Sequence, residues 1–177
     1  TLDKLKKCLD DDAVVDVAVK LYVQRFTAAQ QKDIDTLEKV WSSVTADLRD
    51  EAPVVAGYAL GLVHFERSAE AEKVIRKTLS NHWHEDLFAL YGTMAGKDAK
   101  AQLSRAKAWC ENMDPTDANL LALGRLSMRV EDFESAKRYI ERAIGVEPTR
   151  AAHTVLAEVL THLGDEVGAK EQYKLAA

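Results

Sequence analysis

His82-Trp83-His84 places two imidazoles around an indole, a pairing of residue types that binds metals when the geometry allows. Helical metal sites usually space their histidines three or four residues apart, so that both rings share a face. Residues two apart point about 200° away from each other on a helix, so this pair converges only in a turn. The expectation is solvent-exposed histidines around a packed Trp83. Asp10-Asp11-Asp12 gathers three carboxylates, and its place ahead of an apolar stripe reads as a helix-start or loop charge cluster rather than a metal site. His64, His153 and His162 stand singly along helical stretches. Cys8 and Cys110 are the only cysteines, which excludes a disulfide framework and a four-cysteine metal site and suits a reducing compartment. No nucleophile motif, phosphate-cradling glycine loop or paired catalytic carboxylate is present. The expectation is therefore no enzymatic activity, no metal and no cofactor.

The elements that must position these residues are helices. The chain of 177 residues is 47% hydrophobic and 30% charged with only 8 Gly and 3 Pro, a balance that suits an all-helical fold with a sizeable core. Its net charge of −5 provides no global basic field to attract nucleic acid, and no apolar run approaches the roughly 18 residues that span a bilayer. Val14, Val15, Ala18, Leu21, Tyr22, Arg25 and Phe26 follow the spacing of one helix face. Ile34, Leu37, Val40, Trp41, Val44 and Leu48 form a second stripe, opened by Asp33 as N-cap. Pro53 suits the first turn of a third helix. Further helices are predicted at about 68–80, 84–95, 98–113, 117–130, 133–146, 150–163 and 166–175, joined by breaks of about two residues that force antiparallel neighbours.

A period then emerges. Ala136 and Ala169, Ala143 and Ala176, Ile140 and Tyr173, and Asp132 and Asp165 are all separated by the same interval. That interval matches the tetratricopeptide repeat, a helix–turn–helix unit of about 34 residues. Its pattern appears here as Leu120-x2-Leu123-Gly124-x2-Ser127, then Ala136-x3-Ile140, then Pro148. Glycine within a helix costs about 1 kcal/mol against alanine. The small side chains at Gly124, Ala136 and Ala143 offset that cost by letting backbones approach closely. The fold class read from the chain is all-α, a tetratricopeptide-like right-handed superhelix of antiparallel helix pairs. It is read as a single helical-repeat domain over 1–177, with repeats at 52–80, 84–115, 117–148 and 150–177. Residues 1–50 are a degenerate repeat or a cap, and the loop at 96–98 is atypical.

In such a stack the first helix of each pair lines the concave wall. With Gly124 at the eighth position of its repeat, the wall positions are Ala118, Leu121, Arg125, Met128 and Arg129. Arg125 and Arg129 are four positions apart, so both guanidinium groups can face one groove and grip a carboxylate, with Met128 as an adaptable apolar contact. The same register places Ala56, Leu60, Val63 and His64 on the wall of an earlier repeat. In the last repeat it places Thr154, Glu158, Thr161 and His162 there.

The segments 41–63, 69–92, 101–109, 120–144 and 152–176 resemble, in this order, the C-terminal tetratricopeptide region of the proteobacterial HemY family, and the likeness covers most of residues 38–177. That family is distinct from the flavin oxidase of Gram-positive bacteria that shares its name. The resemblance implies an inner-membrane protein of haem biosynthesis, with N-terminal membrane helices followed by a cytoplasmic repeat domain. This chain then corresponds to the repeat domain of a longer parent. The function expected is a protein-interaction scaffold that binds a segment of a haem-pathway protein in the concave groove. One alternative is a porphyrin- or haem-handling protein. Axial ligation needs an exposed histidine, cysteine or methionine beside an apolar slot, and His64, after Leu60 and Val63, is the best candidate. No Cys-x-x-Cys-His is present for covalent attachment, and stoichiometric haem binding is not expected. The other alternative is a self-associating structural repeat that uses the final helix around Tyr173.

Overall fold

The computed structural model describes residues 11–177, so Cys8 and Asp10 lie outside the described residues. Among the described residues ten α-helices follow one another: α1 (Asp11–Gln30), α2 (Ile34–Ser42), α3 (Ala52–His64), α4 (Ser68–Asn81), α5 (Glu85–Thr93), α6 (Ala99–Cys110), α7 (Asp117–Arg129), α8 (Phe133–Val146), α9 (Arg150–His162) and α10 (Glu166–Leu175), with one 3-10 turn at Ala46–Leu48. There is no strand among the described residues. The chain divides into two compact units, one through Leu87 and one from Phe88 to Ala177.

In the first unit, α1 buries Val14, Ala18, Tyr22, Phe26 and Ala29, a stripe that follows the helical repeat along one face. Leu21 and Arg25, expected on this face, are exposed. Each precedes a buried aromatic by one position, about 100° around the helix. Asp33 caps α2 by accepting a hydrogen bond from the Thr36 N–H at 2.7 Å, as its position predicts. The α1–α2 hairpin, α3 and α4 enclose an aromatic core in which Trp41 and Tyr58 stack at 4.3 Å and the fully buried Phe26 lies 5.9 Å from Tyr58. The Tyr22 hydroxyl donates to the Ser43 carbonyl at 2.6 Å, which ties α1 to the end of α2. Gly61 lets α3 pack closely on α2, since a Cβ there would sit 2.5 Å from a Leu37 methyl and displace that side chain.

The second unit holds the regular repeats. Thr116 and Thr149, one repeat apart, cap α7 and α9 by accepting from the Asn119 and Ala152 N–H groups. Asp132 and Asp165 cap α8 and α10 by accepting from the Ser135 and Gly168 N–H groups. Leu120, Ala136, Ile140, Ala143, Ala152, Val159 and Ala169 belong to one continuous core. Gly124 lies at the crossing of α7 and α8, where a Cβ would meet Ile140 Cγ1 at 2.5 Å and the Ala136 carbonyl at 3.5 Å. The small residue is kept because a fully buried isoleucine occupies the space a side chain would need.

Candidate partner-binding groove

The ends of the helices determine where the groove side chains fall. Glu131 (φ 63°) and Gly164 (φ 81°) take the left-handed conformation just after α7 and α9. The following N–H groups of Asp132 and Asp165 then donate back to the Ser127 and Leu160 carbonyls, at 3.0 and 2.9 Å. This closes each first helix with a Schellman turn and opens the second helix on the next residue. In the first unit Glu66 (φ 60°) does the same after α3, with the Arg67 N–H donating to the Leu62 carbonyl at 2.8 Å.

The link between α5 and α6 is built differently. Gln102, fully buried, donates from Nε2 to the Tyr91 and Met94 carbonyls at 3.1 and 3.0 Å, and its Oε1 accepts from the Gly96 N–H at 3.1 Å. Arg129 reaches the same helix end, donating to the Met94 carbonyl and, at 3.1 Å, to the Thr93 carbonyl. One amide and one guanidinium thus satisfy the orphan carbonyls that a left-handed residue satisfies elsewhere.

Beside this helix end lies an open depression of about 420 Å³ lined by Gly92, Thr93, Arg125, Met128, Arg129, Val155 and Glu158. The four predicted groove residues Arg125, Met128, Arg129 and Glu158 come together here. Both arginines are about half buried, and desolvation pulls each guanidinium below its ordinary range, with Glu158 acting against the shift at Arg125. Their situations differ. Arg129 is committed to the end of α5, which corrects the expectation that both guanidinium groups are available to grip a carboxylate. Arg125 has no hydrogen-bond partner among the described residues and feels only the charge of Glu158 across the depression.

Other predicted positions fall elsewhere. Leu121 is buried in the core with Val155 and Ala152, because α9 packs over that face of α7. His162 stacks on the Phe133 ring at 4.5 Å. Thr154 and Thr161 donate their hydroxyls to the Arg150 and Ala157 carbonyls of their own helix. Leu60, Val63 and His64 are exposed on α3 in the first unit, with the His64 ring edge-on to Phe65 at 4.9 Å. Sequence reasoning missed Gly92, Thr93 and Val155. Gly92 stands close to one repeat before Gly124, so applying the Gly124 register to α5 makes Thr93 a wall position. Val155 is part of the hydrophobic core behind the depression.

The remaining candidates for chemistry are dispersed. His82, Trp83 and His84 lie just beyond α4, beside Asp50 and Glu51. Trp83 is 37% exposed rather than buried. The described residues contain no group of three histidine, cysteine or acidic side chains arranged to hold a metal ion. Asp11 and Asp12 fall in the first turn of α1. Burial pushes the Cys110 thiol up to about 11, so it is protonated at neutral pH and a poor nucleophile. No described helix is long and apolar enough to cross a membrane.

The architecture defines a class: an all-α protein of tetratricopeptide-like helix hairpins. No family model matches the chain, and neither does any curated protein sequence. Among solved structures, it is similar to the pilF protein of Pseudomonas aeruginosa, with a TM-score of 0.60 and 18% identity over 92% of this chain and 76% of that one. It is also similar to MamA, residues 41 to the end, from Desulfovibrio magneticus RS-1, with a TM-score of 0.59 and 16% identity over 89% and 92% of the two chains. At these identities the likeness is one of fold.

Proposed function

We propose that this chain is a protein-interaction scaffold that holds a partner segment, through a carboxylate, in the depression around Arg125. The observation that carries the reading is the state of Arg125: a half-buried guanidinium without a hydrogen-bond partner among the described residues, facing an open depression beside Met128 and Thr93. A desolvated guanidinium with free donors gains more from an incoming carboxylate than an exposed one, since much of its hydration is already lost. Glu158 on the opposite side favours a partner that also presents a donor or a cation. The helix-hairpin fold supports the scaffold reading, because stacked hairpins expose long walls without a closed active site. The resemblance of residues 38–177 to the HemY repeat region supports a haem-pathway protein as the partner. It also supports a parent anchored in the inner membrane, with this domain on the cytoplasmic side.

The test has two steps. Cross-linking in the native membrane identifies the partner, and calorimetry then compares variants. Arg125→Ala is expected to leave the thermal melt nearly unchanged and to weaken binding by about tenfold to a hundredfold, the loss of one charge-assisted contact. Lysine at 125 recovers only part of it, because the ammonium lacks the planar fork. Arg129→Ala instead lowers the melt, because the Thr93 carbonyl loses its donor and the Met94 carbonyl keeps only Gln102. Unchanged affinity in an intact Arg125→Ala protein would move the binding surface elsewhere.

A further inference from the structure

The outer face of α10 differs from the same face of α8, one repeat earlier. Val167, Lys170, Glu171, Lys174 and Leu175 correspond, one repeat earlier, to Glu134, Lys137, Arg138, Glu141 and Arg142 of α8. Two repeats before α8, in α4, the positions are Ala69, Glu72, Lys73, Arg76 and Lys77. In α8 the face is charged throughout, as a solvated surface should be. In α10 it carries Val167 at 81% exposure and Leu175 at 59% at its two ends, around an open depression of about 600 Å³.

The charges between them are also rearranged. In α4 the pair Glu72 and Arg76, one helical turn apart, forms an ion pair at 3.1 Å, and in α8 Lys137 and Glu141 do so at 3.9 Å. The same two positions in α10 hold Lys170 and Lys174, which repel where their counterparts attract. Glu166 and Glu171 flank them, yet none of these four charges belongs to an ion pair among the described residues. The face therefore carries unpaired charges of both signs between two exposed aliphatic side chains.

We infer that this face of α10 pairs with the same face of a second copy of the chain, the two helices running antiparallel. A two-fold axis between residues 170 and 171 sets each Lys170 level with Glu171 of the copy. It also sets Val167 level with Lys174, whose aliphatic stem covers an apolar neighbour while its ammonium stays in water, and Leu175 level with Glu166. Both signs are thus offered and received by one surface, which is the requirement of an isologous contact. A ten-residue helix is only about 15 Å long, so the contact falls short of the roughly 1,200 Å² typical of stable interfaces. It is correspondingly weak, with a Kd on the order of 100 μM. This pairing uses none of the Arg125 groove and stands independently of the scaffold reading.

Sedimentation equilibrium on the chain from about 10 μM to 1 mM tests it. The parent is expected to show a reversible monomer–dimer equilibrium that weakens as salt is raised. The double variant Val167→Lys/Leu175→Glu, which sets like charges level with Lys174 and Glu166 of the copy, is expected to weaken dimerisation at least about tenfold with unchanged helicity. A second pair of variants keeps the test independent of that one. Lys170→Glu/Lys174→Glu and Glu166→Lys/Glu171→Lys are each expected to be monomeric alone and to form a heterodimer when mixed. A parent that stays monomeric at about 1 mM would overturn the inference. So would dimerisation indifferent to Val167→Lys/Leu175→Glu, or charge-reversed chains that do not associate on mixing.

Discussion

The α7–α8 and α5–α6 hairpins solve one problem in two ways. Both must reverse the chain within a short link while satisfying the last carbonyls of a helix. The α7–α8 turn does so locally: Glu131 adopts φ 63°, the Asp132 N–H closes the turn, and the Asp132 carboxylate caps the next helix. The α5–α6 link has no left-handed residue, and its carbonyls are satisfied by the distant Gln102 and Arg129 side chains. A turn closed by its own backbone is nearly indifferent to its surroundings, and so it recurs at Glu66 and Gly164. A turn closed by side chains depends on the helices that supply them. Here that dependence joins α5 to α7 directly beside the Arg125 depression. The irregular hairpin is thus one border of the groove, supplying Gly92 and Thr93.

The largest effect should come from breaking the side-chain closure. Gln102→Ala removes three hydrogen bonds, leaving the Gly96 N–H without its acceptor and the Met94 carbonyl to Arg129 alone, and should cost about 3 kcal/mol by urea denaturation. No comparable side chain exists to remove at the α7–α8 turn. A loss below about 1 kcal/mol would mean that water replaces the amide and that the two closures are equivalent.

Glycine positions sharpen the same contrast at the next level. A Cβ at Gly92 of α5 would approach the Ala122 Cα at 2.7 Å, whereas at Gly124 of α7 it meets the Ile140 side chain. Backbone cannot yield as a side chain can. Gly92→Ala should therefore cost about 2 kcal/mol and Gly124→Ala about 1 kcal/mol, partly offset by alanine's better helix propensity. Shortening Ile140 to valine should relieve the second clash, making the Gly124→Ala/Ile140→Val pair less costly than additivity implies. Equal costs at the two glycines would break the comparison.

The smallest effect concerns the local closure. The Asp132 carboxyl is held below the usual carboxylate range by its side-chain and backbone hydrogen bonds with Ser135, outweighing its slight desolvation. A carboxyl lowered in the folded state contributes stability above its unfolded value, about 3.9, and loses it as pH falls through the folded value. Asp132→Ala should cost about 1 kcal/mol at neutral pH. Asp132→Asn keeps a capping oxygen but not the charge, so its deficit against the parent should vanish as pH falls through the lowered folded value. A deficit independent of pH would separate the cap from its charge.

Much of the architecture was legible in the chain because it is written in local spacing. The repeat offsets, the apolar stripes, the Asp33 cap and the proline at the start of α3 each rest on spacing along the chain. Periodicity therefore located the helices from α3 onward to within about three residues, near the usual uncertainty of a boundary, whereas the second stripe runs past the end of α2 at Ser42 to Val44 and to Leu48 in the 3-10 turn. The register also brought Arg125, Met128, Arg129 and Glu158 to one wall, since it depends only on position within a repeat.

What the chain could not express was competition between distant groups. Leu121 and Arg125 share a predicted wall, yet α9 covers one and leaves the other facing the depression. Arg125 and Arg129 are the same residue type on the same helix face. Only the tertiary structure decided that the carbonyls of Thr93 and Met94 take one guanidinium and that nothing among the described residues takes the other. The physical reason is that a helix propensity or a cap is fixed by neighbours in sequence. A half-buried cation is fixed by whichever acceptor the fold brings within hydrogen-bond reach, here 35 residues away for Met94.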